Sequence, residues 1–334
     1  MVTMKDIAKR CGVSVSTVSR VLSGNKLISP ETSCLVKETA EKLGYMPDFT
    51  ARTLKTNHSD MIGIVYDMDL THPFFSGVLD AIRSRAEEAG FDVLLLSRVK
   101  RDGRMDYTET ALSRRMDGII VIYSDVSSEN VRKLTKGNVP IISIDVYEGR
   151  TSAVLSDYRN GTRQLTEYAI SRGHRRIALI HGEIGFATRE RLEGFRSTMK
   201  EHGLEVPAEY VRAGLFNNPE RCTRETEELL ALQTPPTCVL MPDDYSAVHA
   251  LRILRDKGIY APEHFSCAGY DGIPLSEVCS PRLTTFRQDV RSIGRTAVET
   301  LLGVMDEGYG ANREITVCGQ LVPGETVAEP VPDR

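Results

Sequence analysis

From Met61 onward the chain repeats one pattern: a short run rich in Val and Ile, a stretch of helical periodicity, then another such run. The runs fall near 61–67, 91–97, 118–123, 140–145, 175–181, 237–241 and 264–269. The helical stretches fall near 74–89, 105–116, 128–136, 159–172, 189–202, 219–232 and 244–257. Strands separated by a helix's length of chain pair in parallel, because a parallel neighbour needs a crossover long enough to hold that helix. Their near-continuous apolar character fits burial on both faces. The expectation is an α/β body of parallel sheets with helices on both sides. About 275 residues exceed what one core usually holds, so the body reads as two lobes. Ligands of such folds sit beyond the carboxyl ends of the strands, and a cleft between two lobes is a natural site.

The first 58 residues follow other rules. Thr3 and Asp6 have capping-box spacing, and Met4, Ile7, Ala8 and Cys11 lie on one helix face. Gly12 ends that helix and Ser14 caps a second, with Val15, Val18, Val21 and Leu22 on one side. Ser16, Ser19 and Arg20 fall opposite, with Thr17 at the edge. A third helix starts at Ser29-Pro30, buries Val36, Ala40 and Leu43, and stops at Gly44. Two short helices joined by a turn containing Gly are the helix-turn-helix signature, in which the second helix enters the major groove. The plain alternative is a three-helix bundle with a solvated surface. Against it, the outer face of helix two carries short hydroxyls and one Arg with no acid, so it can approach phosphates without repulsion.

Charge points the same way. Net charge is −4, yet residues 1–58 hold nine Lys/Arg against five acids, leaving the remainder at −8. A basic head on an acidic body suits a head that meets nucleic acid, although an unevenly solvated surface gives the same count. Seven scattered cysteines form no C-x-x-C pair, which favours a reducing compartment and neither a disulfide framework nor a zinc site. The opening MVTMKDIAKRCGV has no apolar stretch of signal-peptide length, and no run approaches the ~20 residues needed to span a bilayer. The expectation is a cytoplasmic protein with no membrane partner. Phosphate-binding, nucleophile-elbow and zincin motifs are all missing, and the seven His show no metal spacing, so no enzyme, cofactor or metal is expected.

The stretch "VTMKDIAKRCGVSVSTVSRVLSGN" followed by "LGYMPDFTARTLKT" resembles the head of the lac and galactose repressor family, without gaps through residue 56 and more loosely to the end. The resemblance implies a helix-turn-helix domain over 1–46 and a hinge over 47–58. Residues 59–334 would be an effector-binding and dimerising body of the type I periplasmic sugar-binding fold. The N-terminal lobe would comprise 59–158 plus 288–318, and the C-terminal lobe 159–287 plus 319–330. Crossings between lobes are expected near Asp157, Gln288 and Cys318. Carried over, the base-reading residues are Val15, Ser16 and Arg20, the last pairing with guanine O6 and N7. Thr3, Thr17 and Ser19 suit phosphate contacts. In the hinge, Leu54 with Ala51 beside it would wedge between base pairs of the minor groove, while Arg52 and Lys55 track phosphates. The alternative for Leu54 is an anchor between linker and body.

The resemblance also implies an effector site. "THPFF" supplies His72, Phe74 and Phe75; "ISID" supplies Asp145; "RLEGF" supplies Arg191; "MPDDYSA" supplies Asp243; "GYDG" supplies Asp271; "LTTFRQ" supplies Gln288. Carboxylates and Arg each take two hydroxyls in a fixed fork, which suits polyols. Each has a bland alternative: Phe74 and Phe75 as core, His72 as a structural His, Arg191 in a surface ion pair. One of Asp243 and Asp244, expected to be Asp244, caps the helix starting near Tyr245. Asp243 stands where the family usually has Asn and adds a negative charge. The implied partners are palindromic operator DNA, a second copy of the chain, and a small effector, sugar-like or a nucleobase, acting on a repressor or activator. A pure solute-binding protein would share the body but not the head. The ending "LVPGETVAEPVPDR" is Pro-rich and polar and reads as a loose end without heptads, favouring a dimer over a tetramer.

Overall fold

The structure, a computed structural model, describes residues 2–22, 27–46, 58–66, 70–96, 107–122, 129–134, 139–146, 151–307 and 313–330. The hinge residues Ala51, Arg52, Leu54 and Lys55 lie outside the described residues. The chain divides into two compact units, residues 1–59 and 60–334.

The first unit is three helices, α1 (Met4–Cys11), α2 (Val15–Leu22) and α3 (Pro30–Lys42). Asp6 Oδ2 accepts from the Thr3 backbone N–H at 2.9 Å and from its hydroxyl at 2.7 Å, tying down the start of α1. Gly12 turns the chain with φ of 67°, a conformation that Cβ-bearing residues rarely adopt. Ser14 Oγ then accepts from the Thr17 N–H at 3.1 Å to cap α2. Ser29 Oγ does the same for Thr32 at 3.2 Å, and Pro30 fills the first turn of α3. Ile7, Ala8, Val18, Val21, Val36 and Ala40 form the small core.

The second unit contains two six-stranded sheets. The first is built from β1 (Met61–Tyr66), β2 (Asp92–Leu95), β3 (Gly118–Ile122), β4 (Ile141–Ile144), β5 (Ser152–Ser156) and β11 (Glu314–Val317), in the order β11-β5-β4-β3-β1-β2. All its pairs are parallel. The second uses β6 (Ile177–His181), β7 (Val211–Ala213), β8 (Cys238–Leu240), β9 (Ser266–Asp271), β10 (Thr284–Arg287) and β12 (Gln320–Val322), in the order β12-β10-β9-β8-β6-β7. Only β12 in that sheet runs antiparallel, along β10.

Alternation along each strand feeds a core on either face. In the first sheet Ile62, Ile64, Ile120 and Ile122 meet α4 (Pro73–Glu88) and α12 (Val290–Glu307). Val65, Ile119 and Val121 meet α5 (Tyr107–Ser113) and α6 (Glu129–Leu134) on the other face. In the second sheet Leu179, Leu240 and Tyr270 pack against α7 (Tyr158–Ser171) and α8 (Phe186–Glu201). Ile180, Val239 and Cys267 face α9 (Pro219–Leu230) and α10 (Asp244–Asp256). A fully buried side chain such as Phe195 contributes about 1.5–3 kcal/mol. Helices α4 and α12 cross so closely that a Cβ on Gly294 would stand 2.6 Å from the Ala81 Cβ and 2.7 Å from the Val78 carbonyl oxygen.

The chain passes between the sheets three times: β5 leads through Asp157 into α7, β10 leads through Gln288 to α12, and β11 leads to β12 across Cys318 and Gly319. Elements beyond those expected are β5, β7, β10, β11, β12, α11 (Pro274–Val278) and α12. The expected loose end is a correction. β12 is followed by a segment stitched onto the second sheet, with Thr326 and Val327 buried. The Cys267 N–H donates to the Thr326 carbonyl at 2.9 Å, and the Thr326 hydroxyl donates to the Cys267 carbonyl at 2.6 Å. The Thr284 N–H donates to the Thr326 hydroxyl at 2.9 Å. A polar, Pro-containing segment binds here because buried backbone groups on β9 and β10 require partners.

Candidate functional site

Two constellations stand out, one in each unit. In the head, Val15 is 41% exposed although its neighbours Val18 and Val21 are buried. Val15 therefore leaves its methyl groups on the surface at the start of α2. Ser16 and Arg20 are exposed beside it, while Thr17 and Ser19 are half-buried. The capping hydroxyl of Ser14 also bonds the hydroxyls of Ser16 at 2.7 Å and Thr17 at 2.8 Å. The outer face of α2 is therefore a preset row of hydroxyls flanked by a methyl surface and a guanidinium. Thr3 is exposed and its side chain is engaged with Asp6.

In the body, the carboxyl ends of the strands bring four of the expected residues together. Asp145 follows β4, Asp271 ends β9, Gln288 follows β10, and Arg191 projects from α8. All four are buried. Asp145 and Asp271 take positive φ angles of 59° and 108°. Such backbone strain persists only where the surroundings impose it, and it clusters at functional sites. Arg191 Nη1 donates to the Pro242 carbonyl at 2.6 Å, and Nη2 lies 3.9 Å from Asp271 Oδ1. Its guanidinium carbon stands 3.5 Å from the ring centre of Tyr270, 5.0 Å from Tyr158 and 5.4 Å from Phe216. Gly182 makes room for this arrangement, since a Cβ there would fall 2.1 Å from the Phe216 ring. The Gln288 amide donates to Asp271 Oδ1 at 2.7 Å, and Asp145 Oδ1 accepts from the Ser156 N–H at 3.0 Å.

Burial sets the electrostatics. It pushes Asp145 up to about 6, against the pull of the Ser156 N–H, the Tyr158 hydroxyl and the Arg191 charge. Burial pushes Asp271 up to about 7, with Arg191 and Gln288 pulling down and Asp243 and Asp145 adding to the rise. One guanidinium thus serves carboxylates from both sheets.

Four expected site residues sit differently. Phe74 and Phe75 are both in the core of the first sheet, Phe75 stacked on Tyr66 with ring centres 5.2 Å apart. Being apolar and at the root of α4, they gain more from the core than from a polar cleft. His72 is buried and caps α4, its Nδ1 accepting from the Phe75 N–H at 3.5 Å. For the acidic pair, the cap of α10 is Asp243 and not Asp244. Asp243 accepts from the Ser246 N–H at 2.6 Å, the Ser246 hydroxyl at 3.0 Å and the Asn217 N–H at 2.8 Å. Its extended backbone, φ −157°, places the carboxylate over the helix start. Asp244, one residue into the helix, accepts instead from the Thr285 hydroxyl at 2.6 Å and the Ile273 N–H at 2.9 Å. Asp244 thereby ties α10 to β10.

Sequence reasoning missed Tyr158, Tyr270 and Phe216. The first two flank acids already singled out, in "SDYRN" and "GYDG", and that adjacency was the available signal. Phe216, half-buried beside Arg191, is the aromatic ring of the cluster with an accessible face. Among the described residues no group of His, Cys, Asp and Glu is placed to hold a metal ion. No helix among them is long and apolar enough to cross a membrane.

Both parts of the chain resemble known proteins. Residues 3–48 match the family described as bacterial regulatory proteins, lacI family, and residues 166–327 match the periplasmic binding protein-like domain. The chain is 31% identical over 334 residues to the HTH-type transcriptional repressor PurR of Vibrio cholerae, covering 98% of this chain and 99% of that one. Among solved structures it is similar to the lac repressor dimer bound to operator and the anti-inducer ONPF, with 28% identity, a TM-score of 0.86, and 98% and 99% of the two chains covered. It is also similar to the transcriptional regulator CelR in complex with cellobiose, with 26% identity, a TM-score of 0.71, and 98% and 100% covered. The chain belongs to the lacI family of bacterial regulatory proteins: a transcriptional regulator with a helix-turn-helix head and an effector-binding, periplasmic-binding-protein-like body.

Proposed function

We propose that the chain represses transcription as a cytoplasmic homodimer on a palindromic operator and is switched by a small effector, sugar-like or a nucleobase, held by Asp145, Arg191, Asp271 and Gln288. It has no enzymatic role in this reading. The observation that carries the DNA half is the outer face of α2, where Val15 is held out of the core beside Ser16 and Arg20 with no acid among them. A dimer presents two such helices to two half-sites, mirroring the protein's two-fold axis in the DNA. Arg20 pairs with a guanine, Val15 contacts a thymine methyl, and Thr3, Thr17 and Ser19 set the register on phosphates. Ala51 and Leu54 kink the centre of the site from the minor groove, with Arg52 and Lys55 on the flanking phosphates. Similarity to an operator-bound lac repressor and a cellobiose-bound CelR supports each half.

The test is selection of binding sites from random duplexes with the full chain, then titration of the selected operator. Arg20→Ala is expected to relax one base position and cost about 1–3 kcal/mol on the operator. An equal loss on all sequences would mean that Arg20 touches only phosphate. Coupling is reciprocal, so effector affinity must change when operator is bound, and equal affinities with and without DNA would refute the switch.

A further inference from the structure

Asp244 is fully buried in the first turn of α10, yet its two carboxylate oxygens reach two different strands. Oδ1 accepts from the Thr285 hydroxyl on β10 at 2.6 Å, and Oδ2 accepts from the Ile273 N–H just past β9 at 2.9 Å. Thr285 stands shortly before Gln288 in the chain, and Ile273 shortly after Asp271. Burying a carboxylate is costly unless its hydrogen bonds are met, and burial with Asp271 nearby pushes Asp244 well above the usual carboxylate range. Capping does not account for it, because Asp243 already caps α10.

The backbone is shaped to this reach. Gly269 and Thr285 are register partners on β9 and β10, and a Cβ on Gly269 would run into Asp244 Oδ1. The missing side chain leaves the space through which the carboxylate meets Thr285. Beyond it the chain leaves β9 with two successive positive φ angles, 108° at Asp271 and 69° at Gly272. Asp271 has a Cβ, so this conformation persists only under an outside constraint. The Ile273 N–H is the first amide after that turn, and Asp244 holds it. From β10, the Gln288 N–H donates to the Asp271 carbonyl at 3.1 Å and the Gln288 amide donates to Asp271 Oδ1 at 2.7 Å. Both ends of the Asp271–Gln288 pair are therefore tied to one side chain more deeply buried than either.

We propose that Asp244 is the positioning residue of the effector site: its hydrogen bonds to Thr285 and Ile273 hold Asp271 in its left-handed backbone conformation and so set the Asp271–Gln288 pair for the ligand. This rests on that pair holding the effector. Asp244 acts through hydrogen bonds, so Asn should replace it, with an oxygen to accept from Ile273 and an amide to donate to the Thr285 hydroxyl. Ala offers neither.

The experiment uses the full chain and the variants Asp244→Ala, Asp244→Asn, Thr285→Val, Thr285→Ser and Asp271→Ala, each checked for a folded body by thermal unfolding. Crystal structures of the ligand-free proteins read the Asp271 backbone directly. Neutral pentoses, hexoses, their disaccharides and purine bases are screened by thermal shift, and the Kd of the best binder is measured by calorimetry well below each Tm. Asp244→Ala and Thr285→Val should move Asp271 away from its φ of 108° and break its contact with Gln288. They should also raise Kd about ten-fold or more, as the loss of hydrogen bonds supporting a site residue does. Asp244→Asn and Thr285→Ser should keep both the geometry and the affinity. If Asp244→Ala does not fold, Thr285→Val decides. A tie that only stabilises the fold would lower Tm in these variants and leave the Kd of the folded protein unchanged. That result, or an unmoved Asp271, overturns the proposal and leaves the effector site standing. A binder whose Kd is untouched by Asp271→Ala overturns the effector-site reading and the proposal with it. With no binder in the panel, the Asp271 backbone in Thr285→Val decides alone.

Discussion

Replacing Asp145 with Asn should make the ligand-free body more stable. The carboxylate is buried and takes one backbone hydrogen bond, from Ser156. Its pKa rises from 3.8 to about 6 on folding, because burial outweighs the help from Ser156, Tyr158 and Arg191. At about 1.4 kcal/mol per pKa unit, ionising it inside the fold costs on the order of 3 kcal/mol at neutral pH. The sign follows from the raised value. Stability is fully present below the unfolded pKa and is lost as pH rises through the folded one, with roughly half of the loss falling between about pH 5 and about pH 7.5. Asn keeps the oxygen that accepts from Ser156 and removes the ionisation. Urea unfolding of both proteins at the two pH values checks this. The variant should exceed the wild type by up to about 3 kcal/mol at the higher pH and by about half of that at the lower. A variant less stable by the same amount at both pH values would refute the reasoning, because Asp145 would then act through packing and not through its charge. The expected pattern is that of a residue kept for binding at the expense of stability.

Three other outcomes follow from particular contacts. Gly294→Ala drives a methyl into Ala81 and the Val78 carbonyl, so the α4–α12 crossing must open, at about 1–3 kcal/mol and with a lower Tm in calorimetry. His174 is buried with Nε2 facing the Ala328 carbonyl at 2.8 Å, so Nε2 carries the proton and Nδ1 faces the Thr237 hydroxyl. Burial and the Arg172 charge lower its pKa below 6.5; its stability contribution is present above that value and lost as pH falls through the lowered one, and His174→Gln should flatten that part of an acid-unfolding profile. Thr326→Val leaves the Cys267 carbonyl and the Thr284 N–H each short of a partner in a buried place, which should cost about 1–3 kcal/mol in urea unfolding.

The parts legible in the sequence are those where one physical effect dominates. "MIGIVY" and "GIIVI" declare buried strands because both faces need apolar residues, and the head declares itself because Gly12, Ser14 and Ser29-Pro30 punctuate three short helices. The edge strands β7 and β12, three residues each, carry too few residues to show a period. Helix α12 has apolar residues at the right spacing, Ile293, Ala297, Val298 and Leu301, but Gly294 and Gly303 break the helical signal; Gly294 is there for the crossing with α4. At the site, Asp145, Arg191, Asp271 and Gln288 were found from family resemblance, and the fold brings them together. Phe74 and Phe75 show why residue type alone misleads, since an aromatic pair after a strand fits a ligand stack or a core equally well. The choice between Asp243 and Asp244 turned on one backbone angle that no composition reveals.

The order of the segments in the chain has a consequence for synthesis. The head, residues 1–59, is a compact unit of its own and its contacts are all available once it emerges from the ribosome. The body is not so placed. The core of its first sheet is finished by Ile293, Ala297, Val298 and Leu301, and its second sheet is sealed by Thr326 and Val327. At about 5–20 residues per second, some ten seconds to most of a minute separate the first strand of the body from the helix that closes its core. During that interval a folded DNA-binding head is tethered to two unfinished sheets whose apolar faces are open. A premature stop between the first strand of the body and residue 290 therefore yields a finished head on a sticky, unclosed body, and the quantity that limits such products in a cell is their clearance by chaperones and proteases.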